Sequence, residues 1–130
     1  MRYVLLIYEP SEQFDARSLA PEDPFWGAWR SYVQELVDAG VYVGGSPLDR
    51  ADTTATSIRV RGGERQVQDG PYADTKEQLG GFMLLELPSL DSALEWGARC
   101  PAASYGLVEV RPAVDLERFL GPEPGIYRRV

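Results

Sequence analysis

The chain has 130 residues, enough for one domain with one core, and its 44% hydrophobic and 25% charged content is ordinary for a globular protein. Its net charge of −7, with basic residues scattered along the chain, argues against direct binding of nucleic acid. There is no histidine and a single cysteine, Cys100, which excludes imidazole catalysis, internal disulfides and histidine or multi-cysteine metal sites. The sequence therefore predicts no metal and no cofactor.

The chain opens with a continuous apolar run, Tyr3–Tyr8, which predicts a strand that is covered on both faces. This run is shorter than the apolar region of a secretory signal, and no run reaches the roughly 18 residues that span a bilayer. We therefore expect a cytoplasmic protein without a membrane segment. Residues 9–20 are polar and irregular, which predicts a loop or a mobile flap.

The first predicted helix begins at Asp23-Pro24, an N-cap followed by proline at the first helical position, and ends at Gly40. Its apolar residues recur at three- and four-residue spacing: Trp26, Trp29, Val33, Leu36 and Val37. Such spacing is typical of a core face. The two tryptophans are also candidates for the apolar wall of a binding site.

The remaining elements are predicted from alternation, apolar runs and turn residues. They are a strand over 41–48, a hairpin over 56–70 centred on Gly62-Gly63, a strand over 80–87, a helix over 89–100 capped by Ser89, and a strand over 105–112. Cys100, at the end of the second helix, is expected to be a buried apolar residue. Residues 115–130 are interpreted as a C-terminal extension of a single domain, 1–130.

The order β-α-β, hairpin, β-α-β predicts an α+β, ferredoxin-like sandwich. Two helices cover only one face of a four-stranded antiparallel sheet, yet two of the predicted strands are apolar at both odd and even positions. A second apolar face of this kind needs a partner, and the same face of another subunit would supply one. We therefore expect a homodimer.

The most polar stretch is "DGPYADTKEQLGG", whose residues 69–77 we call the motif loop. One interpretation is structural: Asp69-Gly70-Pro71 forms a turn, and Asp74 and Glu77 have the spacing of a capping box around one helical turn. The pair Gly80-Gly81 would then permit a bulge or the close approach of another backbone.

The other interpretation of the motif loop is functional. Clustered carboxylates raise one another's pKa, which provides acid–base chemistry without histidine, and Lys76 is the one lysine among 13 basic residues. The catalytic candidates are Asp69, Lys76 and Glu77. The ligand-binding candidates are Tyr8, Trp26, Trp29, Tyr72, Asp74 and Thr75.

The stretch "DGPYADTKEQLGGF" resembles the signature of the YCII-related family, in its DGPF-domain branch, with Tyr72 in place of phenylalanine. The resemblance extends to "MRYVLLIY", "LVDAGVYVGGSPL" and "YGLVEVRP". It implies a ferredoxin-like fold of the dimeric α/β-barrel type. Some relatives use a His–Asp pair, and one is a dehydrochlorinase of a chlorinated, hydroxylated aromatic ring. This chain has no histidine, so that pair cannot be transferred to it.

These observations favour a small dimer with a pocket between the sheet and the first helix, edged by the motif loop, for a small aromatic or anionic metabolite. If the protein is an enzyme, the expected class is a cofactor-independent lyase or isomerase. The resemblance also implies an alternative, a non-catalytic regulatory module associated with an alternative sigma factor. The sequence leaves open these functions and a purely structural role of the motif loop.

Overall fold

The structure is a computed structural model that describes residues 1–17, 19–73 and 75–121. In chain order its elements are β1 Arg2–Pro10, α1 Ser11–Ala16, α2 Pro24–Asp38, β2 Tyr42–Pro47, α3 Ala51–Thr54, β3 Thr56–Arg61, β4 Glu64–Asp69, β5 Glu77–Glu86, α4 Leu90–Arg99, a 3-10 turn Pro101–Ser104, β6 Leu107–Pro112 and α5 Leu116–Leu120.

Four strands form an antiparallel sheet in the order β2-β5-β1-β6, with the apolar strands β1 and β5 at its centre. Without the hairpin this is the topology of a ferredoxin-like fold, and the α+β prediction is confirmed. Buried residues of α2 and α4, among them Leu36 and Ala93, pack in one core with Leu5 and Leu85 of the central strands. Both long helices therefore cover the same face of the sheet.

The two faces of β1 have different surroundings. Tyr3, Leu5 and Ile7 are buried in the core, whereas the alternate residues between them are only half-buried. On that second face, Leu6 lies opposite Phe82 and Tyr8 lies opposite Leu107, and Phe82 and Leu107 are 39% and 50% exposed. The second face is apolar at the centre of β1 and β5, carries Glu109 and Arg111 on β6, and is the more open of the two.

The prediction of a loop or mobile flap over residues 9–20 is wrong for residues 9–16. The strand β1 continues to Pro10 because Glu9 stays in phase with the buried residues of the strand, and the helix α1 follows directly. Phe14 of α1 is 6% exposed, so the helix is anchored by an apolar side chain.

The predicted hairpin is confirmed, but it lies outside the main sheet as a two-stranded sheet of its own, β3-β4. Gly62 and Gly63 have φ of 57° and 78°, the left-handed values that a tight two-residue hairpin turn requires. Every residue of β4 is exposed.

The predicted helix ends are confirmed at α2 and α4. The Asp23 carboxylate accepts a hydrogen bond from the backbone N–H of Phe25, and the Ser89 hydroxyl accepts one from that of Ser92. Cys100 is buried at the end of α4, as expected. Of the helices in the described part of the chain, none is long and apolar enough to cross a membrane.

The helical turn predicted within the motif loop is wrong, because Glu77 begins the strand β5 and the described residues before it are not helical. The hydroxyl of Thr75 donates instead to the carbonyl of Glu77. Asp74 lies outside the described residues, as does the part of the expected C-terminal extension after residue 121.

Candidate functional site

A cavity of about 430 Å³ lies between the sheet and α2. Its helix side is formed by Trp26, Trp29, Val33 and Val37, and its sheet side includes Ile7 and Met83. Small-molecule sites typically have roughly 300–1,000 Å³ and mainly apolar walls with a few polar groups. The cavity therefore has the size and the wall chemistry of a site for a small, largely apolar molecule.

A buried carboxylate lies at the sheet side of this cavity. Glu9 has no accessible surface, and both of its oxygens are hydrogen-bonded. Its Oε2 is 2.7 Å from Nη2 of Arg17, and its Oε1 is 3.2 Å from the hydroxyl of Tyr105. A buried charge is tolerated only when it is paired and hydrogen-bonded in this way.

Arg17 is held by three partners. Its Nη2 donates to Glu9 and, over 2.7 Å, to the carbonyl of Gly80, and its Nη1 donates to the carbonyl of Leu48. The guanidinium carbon also lies 4.6 Å from the centre of the Phe14 ring. These bonds use three of the five N–H groups of the guanidinium. The Arg17 side chain is 15% exposed and Glu9 is not exposed at all, so of the two only Arg17 has accessible surface.

Gly80 provides the space for this pair. It is an extra residue in β5 where the register with β1 shifts between Ile7 and Tyr8, which is a β-bulge. A Cβ at this position would lie 2.8 Å from Nη2 of Arg17 and 3.1 Å from Oε2 of Glu9. The bulge that the glycine pair indicates is confirmed, and at Gly80 it makes room for the ion pair.

Tyr105 connects Glu9 to the helix α2. Its hydroxyl accepts a hydrogen bond from the indole Nε1 of Trp29, 3.3 Å away, and donates to Glu9. Burial, and next the nearby Glu9 carboxylate, raise the pKa of Tyr105. The phenol therefore keeps its proton at neutral pH, which allows it to donate to the carboxylate.

Of the residues that the sequence singles out, Trp26 and Trp29 border the cavity. Tyr8 lies on the opposite face of the sheet, beside Leu107. The other described candidates are exposed and do not border the cavity: Asp69, Tyr72, Thr75, Lys76 and Glu77.

The described motif-loop candidates do not form a charged cluster. Tyr72 is 82% exposed, with the guanidinium carbon of Arg59 5.4 Å from its ring centre. Lys76 makes no ion pair with any residue that the structure describes. Across the described ranges, no group of three His, Cys, Asp or Glu side chains is placed to hold a metal ion.

Sequence reasoning missed the residues of the buried pair. Glu9 had a usable signal, because it continues the two-residue alternation of Tyr3, Leu5 and Ile7 and so belongs on the buried face of β1. Arg17 had none. Its three hydrogen-bond partners lie 8, 31 and 63 residues away along the chain.

Comparisons with known proteins agree with the fold. A family model described as YCII-related domain matches residues 1–117. An uncharacterised protein of Rhizobium meliloti (strain 1021) is 35% identical over 116 residues, which cover 86% of this chain and 91% of that protein.

A similar solved structure is the 5-chloro-2-hydroxyhydroquinone dehydrochlorinase (TftG) of Burkholderia phenoliruptrix AC1100, in complex with 2,5-dihydroxybenzoquinone. The TM-score is 0.51 at 16% identity, and the match covers 88% of this chain and 94% of that one. At this identity the likeness shows the fold.

Proposed function

This chain belongs to the YCII-related domain family, and we propose that it is a homodimer in which each subunit binds a small hydroxylated aromatic metabolite in the cavity beneath α2. The observation that carries the proposal is an apolar cavity, walled by Trp26 and Trp29, against which the Glu9–Arg17 ion pair is buried. Its Asp69-Gly70-Pro71-Tyr72 sequence places it, in our proposal, in the DGPF branch.

The walls favour a flat ring as the ligand. Tryptophan faces give large, rigid apolar contact area, and aromatic rings stack on them in offset or edge-on arrangements. The dehydrochlorinase with the same fold is in complex with 2,5-dihydroxybenzoquinone, a ring with oxygen substituents. A ring oxygen could accept from the N–H groups of Arg17 that its three protein partners leave over.

The reaction class we propose is elimination or isomerisation without a cofactor. On a hydroxylated ring, either reaction can develop negative charge on an oxygen substituent. Arg17 would stabilise that charge more strongly in an apolar cavity than in water. Glu9 fixes the guanidinium in place, so in this proposal it is a positioning residue for Arg17.

Two groups of carboxylates compete for the role of proton acceptor. Glu9 borders the cavity but has no accessible surface, whereas the side chain of Arg17 is 15% exposed. Asp69 and Glu77 are exposed on the motif loop, away from the cavity. Proton transfer by Asp69 or Glu77, with Lys76 as electrostatic partner, stays a prediction of the sequence.

The reaction class can be tested with the substrate of the structural neighbour. Chloride release from 5-chloro-2-hydroxyhydroquinone would be followed for the wild type, Glu9→Gln, Arg17→Met and Glu77→Gln. We expect the wild type to release chloride and Arg17→Met to abolish this activity. Loss of chloride release in Glu77→Gln alone would assign the chemistry to the motif loop. The absence of chloride release by the wild type would contradict a dehydrochlorinase.

The homodimer is supported by the open face of the sheet, which is apolar where Leu6 lies opposite Phe82 and Tyr8 opposite Leu107. Sedimentation equilibrium at micromolar concentration should give about twice the chain mass of 14.5 kDa. Leu6→Asp, in the middle of this face, should produce monomers or aggregates because it would bury an unpaired charge at the interface. A monodisperse wild-type monomer would contradict the dimer.

Ligand binding can be tested directly with 2,5-dihydroxybenzoquinone by isothermal titration calorimetry. Val33→Trp should abolish binding because Val33 borders the cavity and the larger side chain would fill it. The matched control is Ser31→Trp, on the same helix but beside a separate, more open concavity.

Equal loss of binding in the Val33 and Ser31 variants would reject the cavity as the site. If no metabolite binds the wild type, the alternative of a partner-binding module becomes the better reading. The cytoplasmic location stays a prediction of the sequence.

A further inference from the structure

The charges around the cavity do not balance. The described residues bordering it that are charged at neutral pH are Glu9, Arg17 and Arg30. Glu9 and Arg17 neutralise one another across 2.7 Å. Arg30 has no carboxylate partner among the described residues, so the cavity carries one unpaired positive charge in a chain whose net charge is −7.

Arg30 lies at the solvent side of the cavity. Its side chain is exposed, in contrast to Arg17, and it borders the cavity together with Trp26, four residues earlier on the same side of α2. Its Nη1 donates to the carbonyl of Pro21 over 2.6 Å, a bond that directs the guanidinium and leaves its other N–H groups for a ligand.

We propose that the ligand is an aromatic monoanion whose carboxylate or acidic oxygen pairs with Arg30 at the cavity mouth, while its ring lies against the tryptophans. This inference rests on the proposed function and adds the charge of the ligand and the residue that selects it. A guanidinium binds a carboxylate through paired N–H donors, a geometry that lysine does not offer. A neutral ring of the same shape would leave Arg30 unpaired.

The test compares two probes of nearly identical shape, 3-hydroxybenzoate and 3-hydroxybenzamide, by isothermal titration calorimetry at low salt. The wild type should bind the benzoate about fivefold more tightly, the factor expected for an ion pair near the surface. Arg30→Gln should remove this preference and leave the affinity for the benzamide unchanged. The control Arg65→Gln makes the same change in net charge on the exposed strand β4 and should keep the preference.

Each outcome separates the two proposals. Equal binding of both probes to the wild type overturns the charge inference and leaves the cavity as a site for neutral rings. A preference that disappears in Arg65→Gln as well assigns the effect to net charge, which also overturns the role of Arg30. If neither probe binds the wild type, the charge inference is overturned. If 2,5-dihydroxybenzoquinone does not bind either, the proposed function is overturned as well.

Discussion

The motif loop and the Glu9–Arg17 pair are both rich in charge, but they lie in opposite environments. The described charged residues of the motif loop, Asp69, Lys76 and Glu77, are exposed. The pair lies under α1 and beside the cavity, with Glu9 fully buried. Along the chain, the charged residues of the motif loop are closer together than Glu9 and Arg17. In the folded structure, Glu9 and Arg17 are the ones that lie in contact.

The difference teaches that burial, more than density along the chain, decides what a charge can do. Exposed ion pairs contribute about 0–1 kcal/mol because water screens them. A buried pair that loses one partner costs several times more, because the remaining charge is left without solvation. The same low dielectric would let Arg17 act strongly on a ligand.

The largest effect is expected for Arg17→Met, which leaves Glu9 buried without its cationic partner. Urea unfolding should show a loss of about 3–5 kcal/mol in the free energy of unfolding. The double variant Glu9→Leu/Arg17→Met should recover most of it, since apolar residues replace the whole pair. Lys76→Met is the control in the motif loop and should change stability by less than about 1 kcal/mol. Equal losses in the two single variants would remove the distinction between the regions.

Gly80→Ala should have the next largest effect. The added Cβ would meet Arg17 Nη2 at 2.8 Å, so the pair or the bulge must shift, at a cost of about 1–3 kcal/mol. The control is Gly44→Ala in β2, where a Cβ meets nothing within 4 Å, and it should stay within about 1 kcal/mol of the wild type. Thermal unfolding of both variants decides the matter. A neutral Gly80→Ala would show that the pair does not depend on this space.

Alkaline pH should reduce stability through buried groups. Burial raises the pKa of the Cys100 thiol from 9.0 to about 11, and burial also raises the pKa of Tyr105 and Tyr32. As the pH rises, the thiol of the unfolded chain loses its proton before the thiol of the folded chain does. The contribution of the buried thiol to the free energy of unfolding is therefore fully present below pH 9 and is lost between pH 9 and 11. Urea midpoints measured from pH 8 to 11 should fall, and Cys100→Ala should fall less steeply. Parallel curves would contradict a protonated, buried thiol.

The smallest effects are expected for Lys76→Ala and Glu77→Gln in the motif loop. Each should change the free energy of unfolding by less than about 1 kcal/mol and leave the affinity for 2,5-dihydroxybenzoquinone unchanged, because neither residue borders the cavity. Binding isotherms beside melting curves provide the check. A tenfold loss of affinity in either variant would restore the functional interpretation of the loop and reverse the comparison.

Much of the architecture could be read from short-range patterns. Alternation identified β3 and β4, apolar runs identified β1 and β5, and the Asp23 and Ser89 caps marked where α2 and α4 begin. The residues of the candidate site could be predicted from the sequence only in part. Trp26 and Trp29 are candidates for an apolar wall as aromatic residues, although their helical spacing is typical of a core face. The placement of the catalytic candidates in the motif loop rests on its polarity.

The sequence by itself determined the order of the elements and the caps and turns, because each depends on residues a few positions apart. Its composition, without histidine, excluded imidazole chemistry. Only the tertiary structure decided which charges are paired with one another. The strands β1 and β5, the end of α1 and the segment before β6 meet at one place. This brings together four residues: Glu9, Arg17, Gly80 and Tyr105. No local pattern records contacts across 63 or 96 residues, since these arise from the pairing and packing of whole elements.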